Sequence, residues 1–385
     1  MTPRARTQAA IELLDLIIAA AREGGAAADT IVSRYFAGRR YAGSKDRRAV
    51  RELVYAAIRA CGEVPASGRA AVLALGDPAV EATFDGSAHG PAPIAPGEPV
   101  AARGIAPAWL LEALRASGVG EEEWPALVGR APLDVRVNRI RPEPVAIAGA
   151  EPVAGLPDAL RLPAGTDIAA YAGLVEVQDA GSQAVTLAAE ARPGQAVVDL
   201  CAGGGGKTLA LASAMRNEGR ILACDVDRAR LRNLPPRAER AGVAIVEMRL
   251  LDPGREAERL EDWRGRADCV LVDAPCSGTG TWRRNPEARW RLSPERLERF
   301  AKTQAHVLDV AAPLVRPGGA LAYVVCSLLD AEGRERVEAF LQTHPGWSAD
   351  PLNLPLGRPH GPGWRLTPGR DRSDGFFVAR LIRPC

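Results

Sequence analysis

Two cysteines stand where a covalent reaction would need them. Cys276 lies in the run Asp273-Ala274-Pro275-Cys276-Ser277-Gly278-Thr279-Gly280, and Cys326 in Tyr323-Val324-Val325-Cys326-Ser327. Each follows an apolar run that reads as a strand, and each precedes a serine. In an open α/β sheet the carboxyl ends of the strands border the ligand crevice, so both thiols are expected to face one site. Two thiols suit one reaction in particular. Carbon 5 of cytosine is a poor nucleophile. A thiolate adding at carbon 6 turns the ring into an enamine able to attack a methyl sulfonium; the carbon 5 proton then leaves and the thiolate is expelled. One cysteine is the nucleophile and the other assists breakdown of the adduct, and spacing alone does not say which. Free cysteine is commonly just a small buried apolar residue, and Cys61, Cys224 and Cys269 are read that way.

A second constellation lies upstream. The run from Val197 through Asp199, Cys201, Ala202, Gly203, Gly204, Gly205, Gly206 and Lys207 to Leu209 is a strand, a glycine turn and a helix start. Glycines let backbone approach a ligand, and a helix N-terminus favours negative charge. Asp225 ends the next strand, where an acid holds ribose hydroxyls in nucleotide-binding α/β folds. Together they point to an adenosyl-type cofactor. A P-loop ATPase is the competing reading, because Gly206-Lys207-Thr208 ends like a Walker A motif and Val270–Asp273 resembles its partner strand. That motif requires glycine where Cys201 stands. A purely structural glycine turn would leave the position of Asp225 unexplained.

The elements that must position these groups are read from periodicity. Val197–Leu200, Ile221–Ala223, Val243–Val246, Cys269–Val272 and Leu321–Val325 are predicted strands alternating with helical stretches, which implies a parallel sheet flanked by helices. Phe376–Ile382 is a last strand. Ala10, Leu13, Leu14, Ile17, Ile18 and Ala21 recur at helical spacing, and Ser44 opens a second helix carrying Val50, Leu53, Val54 and Ile58. Residues 62–104, rich in Gly, Pro and Ala, read as a poorly packed end of the first domain plus a linker. A helix over Ala106–Ala116 and a strand over Leu133–Ile140 suggest a small α+β module up to about residue 180.

The chain has 385 residues, so two or three domains are expected, and a 47% apolar fraction suffices for globular cores. The run Leu13–Ala21 falls short of the roughly 18 residues that span a bilayer. With no secretory pattern at the N-terminus, the chain reads as cytoplasmic. Seven cysteines without a CxxC pair, and four histidines, argue against a metal site. A net charge of +2 does not announce nucleic acid, but the charge is uneven: eight basic residues lie between Ile31 and Arg59 against Asp46 and Glu52. Arginine outnumbers lysine 46 to 3, which singles out Lys207.

These motifs, in this order, resemble the Sun/Fmu family of RNA cytosine-5 methyltransferases, and within it the bacterial RsmB type. Cys201–Lys207 is similar to the family's CAAPGGK loop, Asp273–Ser277 to its DAPCS motif, and Val325-Cys326-Ser327 to the TCS motif that carries the nucleophile. Arg283–Glu287, Val177–Gln183, Arg136-Val137-Asn138 and Asp374–Phe377 also fit. The resemblance implies an α/β fold: a Rossmann-like S-adenosylmethionine methyltransferase domain over residues 181–385, preceded by a small α+β RNA-binding module (105–180), a Gly/Pro-rich linker (76–104) and an all-α NusB-like RNA-binding domain (1–75). It implies that Cys201, Ala202, Gly203–Gly206, Lys207 and Asp225 bind S-adenosylmethionine, that Asp273 lies between cofactor and base, that Cys326 attacks carbon 6 and that Cys276 helps release product. DNA cytosine methyltransferases, as a class, use the Pro-Cys cysteine instead, so the family decides what spacing left open. The sequence departs from the pattern at Gly203-Gly204, usually Ala-Pro, and at Val325, usually Thr. Where the third strand should end in Gly-Asp it reads Met248–Pro253, which makes Asp252 the candidate adenine-side acid.

Tyr41–Arg48 carries the NusB-like resemblance, which separates the RsmB type and points to small-subunit (16S) rRNA rather than tRNA or large-subunit rRNA. Arg39, Arg40, Lys45, Arg47, Arg48 and Arg51 are placed to neutralise phosphates, which would position RNA without reading its sequence. Arg136 and Asn138 are assigned to RNA with them. A stacked cytosine must be extruded or taken from a loop, and Trp282, Arg283 and Arg284 are placed to hold the displaced strand. A non-catalytic assembly factor on the same fold would be expected to lack Cys326 or Asp225, and both are present. A monomer is expected.

Overall fold

The computed structural model describes the whole chain, Met1–Cys385. Two compact units emerge: residues 1–130 with 281–293, and residues 131–280 with 294–385. The first unit is helical: α1 (Pro3–Glu23), α2 (Ala28–Ala37), α3 (Ser44–Ala60), α4 (Gly68–Leu73), α5 (Pro78–Glu81), α6 (Ala108–Ala116) and α7 (Trp124–Val128). Thr2 caps α1 by accepting the Ala5 N–H, Pro3 fills the first turn, and Gly24 ends the helix in the left-handed region. The expected stripe of Ala10, Leu13, Leu14, Ile17, Ile18 and Ala21 is buried, and it meets Val50, Val54, Ala57 and Ile58 of α3 in one core. Each buried Leu or Ile contributes about 1.5–3 kcal/mol.

Residues 62–104 are more firmly held than their composition suggests. All of α4 is buried apart from Arg69, and Phe84 lies in the core. Arg69 pairs with Glu98, and the Gly104 N–H donates to the Ala60 carbonyl over 2.9 Å. Small residues allow this close approach where large apolar side chains are missing. Residues 281–293 join the helical unit through Arg289, which is fully buried. Its guanidinium donates to the carbonyls of Ile58 (2.7 Å), Cys61 (2.8 Å) and Pro286, satisfying groups at the end of α3. Trp290 donates to the same Cys61 carbonyl, and the Glu287 carboxylate accepts the Ala28 N–H at the start of α2.

The second unit contains two sheets. A small antiparallel sheet has the order β2-β3-β1-β4, from β1 (Leu133–Val137), β2 (Glu151–Pro152), β3 (Ala159–Leu162) and β4 (Val175–Val177). The large sheet is built from β5 (Ala196–Asp199), β6 (Arg220–Asp225), β7 (Val246–Leu250), β8 (Ala267–Asp273), β9 (Val315–Val325), β10 (Ser348–Asp350), β11 (Arg358–His360), β12 (Gly363–Leu366) and β13 (Phe376–Ile382). Its order is β11-β12-β13-β9-β8-β5-β6-β7, with β10 on β13. The strands β7-β6-β5-β8-β9 are parallel, and β13 returns antiparallel against β9. Val198, Leu222, Val270 and Leu321 face one core while Val197, Ile221, Cys269 and Ala320 face the other. Burial on both faces is why these strands read as unbroken apolar runs. The third parallel strand starts at Val246, not Val243, because Gly242 and Val243 close the preceding helix: Gly242 adopts φ +72° and the Val243 N–H bonds back to Ala238. The helices used below are α8 (Ala180–Thr186), α9 (Gly206–Ala214), α10 (Arg228–Leu231), α11 (Leu234–Ala241), α12 (Glu256–Arg259), α13 (Pro294–Ala311) and α14 (Arg334–Thr343). No helix is long and apolar enough to cross a membrane.

Candidate active site

The order of the parallel strands reverses at β5, since β6 lies on one side of it and β8 on the other. The crevice at the carboxyl ends of these strands is the expected ligand site of such a sheet. A cavity of about 610 Å³ occupies it. Asp225 at the end of β6, Asp273 at the end of β8, Cys201, Cys276 and Cys326 all line it. The sequence-level grouping of these residues is therefore a spatial grouping as well.

The glycine loop is shaped for close approach. Gly203 and Gly205 have φ of +55° and +85°, and Gly205 directly precedes α9. A side chain at Gly205 would strike Leu234, whose Cδ1 lies 2.2 Å from the site of a Cβ. Asp225 braces this turn: one carboxylate oxygen accepts the Gly203 N–H and the other the Asp227 N–H, each at 2.7 Å. One lone pair on each oxygen is left over, and Asp225 faces the cavity. That is the acceptor pair a vicinal diol needs.

Beneath the loop the site is acidic. Asp199, at the end of β5, is fully buried and accepts the Thr208 hydroxyl at 2.6 Å. Burial pushes its carboxyl up to about 7, against the Thr208 hydrogen bond. Lys207 is also buried and reaches across to Asp273, Nζ to Oδ2 2.8 Å. Burial opposes its ammonium, but the Asp273 carboxylate outweighs burial and raises its pKa. Burial first, then the nearby Asp225, Asp199 and Asp273, hold the Cys201 thiol well above its usual range, so it is an inert neighbour rather than a nucleophile. With its one lysine already paired to Asp273, the loop offers a nucleoside triphosphate no free lysine, while Asp225 and Asp273 suit a cationic sulfonium. Asp252 itself is exposed and lies outside the cavity lining, although its neighbours Leu251, Pro253 and Gly254 contribute to it.

The two cysteines meet at one end of the cavity. Their Sγ atoms are 3.3 Å apart, in hydrogen-bond contact. The contact with Cys326, then burial, push the Cys276 thiol well above its usual range. Cys61, Cys224 and Cys269 are buried in cores, as expected for apolar fillers. Burial raises the thiols of Cys61 and Cys269 to about 11 and about 12.

One wall was not legible as part of the site. Phe300, Thr303, His306, Val307 and Val310 of α13 line the cavity, with His306 paired to Glu256 at 3.2 Å. Their helical spacing was the available signal, but nothing in it distinguishes a ligand-facing stripe from a core-facing one.

The residues assigned to RNA divide. Arg40, Lys45 and Arg48 are all exposed around the start of α3, beside Tyr41, which is 72% exposed. Arg47 is half-buried and donates to the Ala42 carbonyl at 2.8 Å; Arg39 lies 3.6 Å over the Tyr35 ring, and Arg51 pairs with Asp29. Arg136 and Asn138, by contrast, are buried and serve the fold. Arg136 donates to Gln178 at 2.9 Å, and Asn138 ties together the carbonyls of Gly173 and Ala241, each at 2.8 Å. Both sit at the end of an inner strand, where a polar side chain closes neighbouring loops and cannot reach a phosphate. Trp282 and Arg283 are likewise buried, leaving only Arg284 of that group part-exposed.

Comparison with known proteins agrees with this geometry. Residues 185–382 match the model of the family described as 16S rRNA methyltransferase RsmB/F. Proteins named ribosomal RNA small subunit methyltransferase B from Salmonella newport and Citrobacter koseri are 33% and 35% identical over 300 residues, covering 73% of this chain and 67% of theirs. The crystal structure of PH0851 superposes over 99% of both chains with a TM-score of 0.75 at 25% identity. NSun6 from Pyrococcus horikoshii shares the fold over 72% of this chain and 98% of its own, with a TM-score of 0.62 at 19% identity. The chain belongs to the RsmB/F family of S-adenosylmethionine-dependent rRNA methyltransferases.

Proposed function

We propose that the enzyme forms 5-methylcytosine in small-subunit rRNA, with Cys326 as the covalent nucleophile and Cys276 as the group that assists release. The contact of two thiols, 3.3 Å apart in the cofactor crevice, carries this reading. S-adenosylmethionine supplies an electrophilic methyl group on a sulfonium. Cys201–Lys207 and Asp225 would hold it, Asp225 offering acceptors to the ribose hydroxyls. The Cys326 thiolate adds to carbon 6 of the cytosine, making an S–C6 bond and an electron-rich carbon 5, which takes the methyl group. A water molecule acting as base takes the carbon 5 proton, the S–C6 electron pair returns to the Cys326 sulfur, and the aromatic ring and the thiolate are restored. Asp273 and Lys207 fix the space between cofactor and base.

The 3.3 Å contact lets either sulfur donate to the other, so one thiol can stabilise its partner's thiolate during attack and release. Cys326 takes the attacking role from its place in the Val325-Cys326-Ser327 motif. Arg40, Lys45 and Arg48, with exposed Tyr41, form the surface proposed to receive RNA phosphates and a base. The helical region then serves as a NusB-like RNA-binding domain, for which the buried Arg136, Asn138, Trp282 and Arg283 offer nothing.

The test uses Cys276→Ala, mixed with unmethylated small-subunit rRNA and S-adenosylmethionine and run on a denaturing gel. A protein–RNA band that survives denaturation, and is lost when Cys326→Ala is added, is the expected result. An adduct with tRNA or large-subunit rRNA alone would move the substrate while keeping the chemistry. No adduct with any RNA, together with no methyl transfer by the parent, would favour a non-catalytic assembly factor.

A further inference from the structure

Behind the two cysteines lies a buried carboxylate that neither the motifs nor the proposed mechanism uses. Glu332 is completely buried, in the loop between β9 and α14. Its Oε1 accepts the Ser277 backbone N–H at 2.8 Å and Gln304 Nε2 at 3.0 Å. Its Oε2 accepts the Ser327 hydroxyl at 2.6 Å and the Ser277 hydroxyl. Ser277 directly follows Cys276, and Ser327 directly follows Cys326. One carboxylate therefore grips both cysteine-bearing loops one residue beyond each thiol. Through Gln304, which also donates to the Pro275 carbonyl at 3.0 Å, it grips the α13 wall as well.

The hydroxyl groups around Glu332 have protons enough for this pattern. Each hydroxyl has one proton to give. Thr279 lies 3.0 Å from the Ser327 oxygen and accepts the Leu328 N–H; Ser327 accepts the Leu329 N–H. Thr279 therefore gives its proton to Ser327, leaving Ser327 and Ser277 to give theirs to Glu332. Four donors converge on the one carboxylate, and every hydroxyl proton in the cluster is used. The two serine oxygens, 3.3 Å apart, are neighbours because both point at Glu332.

We infer that Glu332 is a positioning residue that locks the Cys276 and Cys326 loops together and so sets the distance between the two thiols. This rests on the two-thiol reading for its consequence in turnover, but the positioning itself is measurable without RNA. A supporting shell must hold reacting groups to within about 0.5 Å, and a displacement near 1 Å costs about 100-fold in rate. Glutamine at this position keeps an oxygen for the Ser277 N–H and Gln304, but its amide must be accepted by serine oxygens, so it preserves part of the clamp. Alanine removes all of it.

The experiment compares Glu332→Ala and Glu332→Gln with the parent in three measurements: S-adenosylmethionine affinity, kcat and KM on unmethylated small-subunit rRNA, and the rate at which diamide bridges Cys276 to Cys326. Diamide takes up the two electrons and two protons released as the S–S bond forms, and the bridged peptide is identified by mass. For Glu332→Ala the expected results are a cofactor Kd and RNA KM within about threefold of parent, kcat down about 100-fold, and bridging slowed at least about tenfold. Glu332→Gln should recover about tenfold of the kcat loss and bridge at a rate between alanine and parent. Parental bridging in Glu332→Ala overturns the proposal, whatever happens to turnover. Slowed bridging in an enzyme whose parent methylates no cytosine would sink the cytosine-5 reading and leave the clamp standing. Should Glu332→Ala fail to fold, Ser327→Ala removes one of the four donors, and unchanged bridging there overturns the proposal equally.

Discussion

Asp225→Asn is the most informative change at the cofactor end of the site. The substitution preserves size, yet it is not conservative in this structure. Both carboxylate oxygens are already committed to backbone, one to the Gly203 N–H and one to the Asp227 N–H, each at 2.7 Å. An amide has one oxygen, so one N–H would face an NH2 group. Where that donor is the buried Gly203 N–H, the loop loses about 1–3 kcal/mol. The remaining lone pairs are the proposed acceptors for two ribose hydroxyls, and hydrogen bonds to a charged acceptor are worth about 1.5–3 kcal/mol each. Losing the charge and one acceptor costs about 3 kcal/mol of binding, or about 100-fold in Kd. Isothermal titration with S-adenosylhomocysteine reads this directly. An analogue without the ribose hydroxyls should bind the parent about 100-fold more weakly, while the variant barely distinguishes the two ligands. A variant Kd within about threefold of parent, or equal discrimination by both proteins, would refute the reasoning.

Three further outcomes are expected. Gly205→Ala forces a side chain to φ +85° and against Leu234; the left-handed penalty of about 1–2 kcal/mol should weaken cofactor binding about tenfold, and adding Leu234→Ala should relieve the clash but not that penalty. Arg289→Met removes the guanidinium donor from the Ile58 and Pro286 carbonyls, while Ile58 keeps the Cys61 N–H and Trp290 still serves the Cys61 carbonyl, so urea unfolding should show a loss of about 1–3 kcal/mol in the helical unit; a loss under about 0.5 kcal/mol would contradict the anchoring role. Asp199 keeps its proton to about pH 7 in the folded chain, whereas the unfolded chain loses it near the ordinary value of 3.8, so the native state binds more protons across that window and stability falls as pH rises through it. Asp199→Asn should remove that slope, gaining on the parent between about pH 4 and pH 7 in chemical denaturation; parallel curves would show that Asp199 titrates normally.

The chemistry was legible in the sequence wherever it depended on short-range pattern. The strand–glycine–helix run at Val197–Leu209, the acid at Asp225 and the two strand-end cysteines each announce a role within a dozen residues, because local backbone geometry dictates the turn that ends a strand. The buried stripe of α1 was legible for the same reason. Residues 62–104 misled because small residues pack well when another surface is shaped to receive them, and composition does not reveal that surface. Val243–Val246 misled because an apolar run after a helix begins with the residues that close it.

Tertiary structure decided everything that depends on which distant residues meet. Arg136 and Asn138 look like surface polar groups beside a strand, but neighbouring loops close over them, Arg136 bonding Gln178 and Asn138 two loop carbonyls. Trp282 and Arg283 follow the Cys276 loop in sequence yet fold inward. Cys276 and Cys326 are 50 residues apart along the chain and 3.3 Å apart in space, because β8 and β9 are parallel neighbours ending at the same edge. Glu332 carries no motif at all. Its role exists only because the parallel strands bring two Cys-Ser turns within reach of one carboxylate, a relation that local sequence cannot encode.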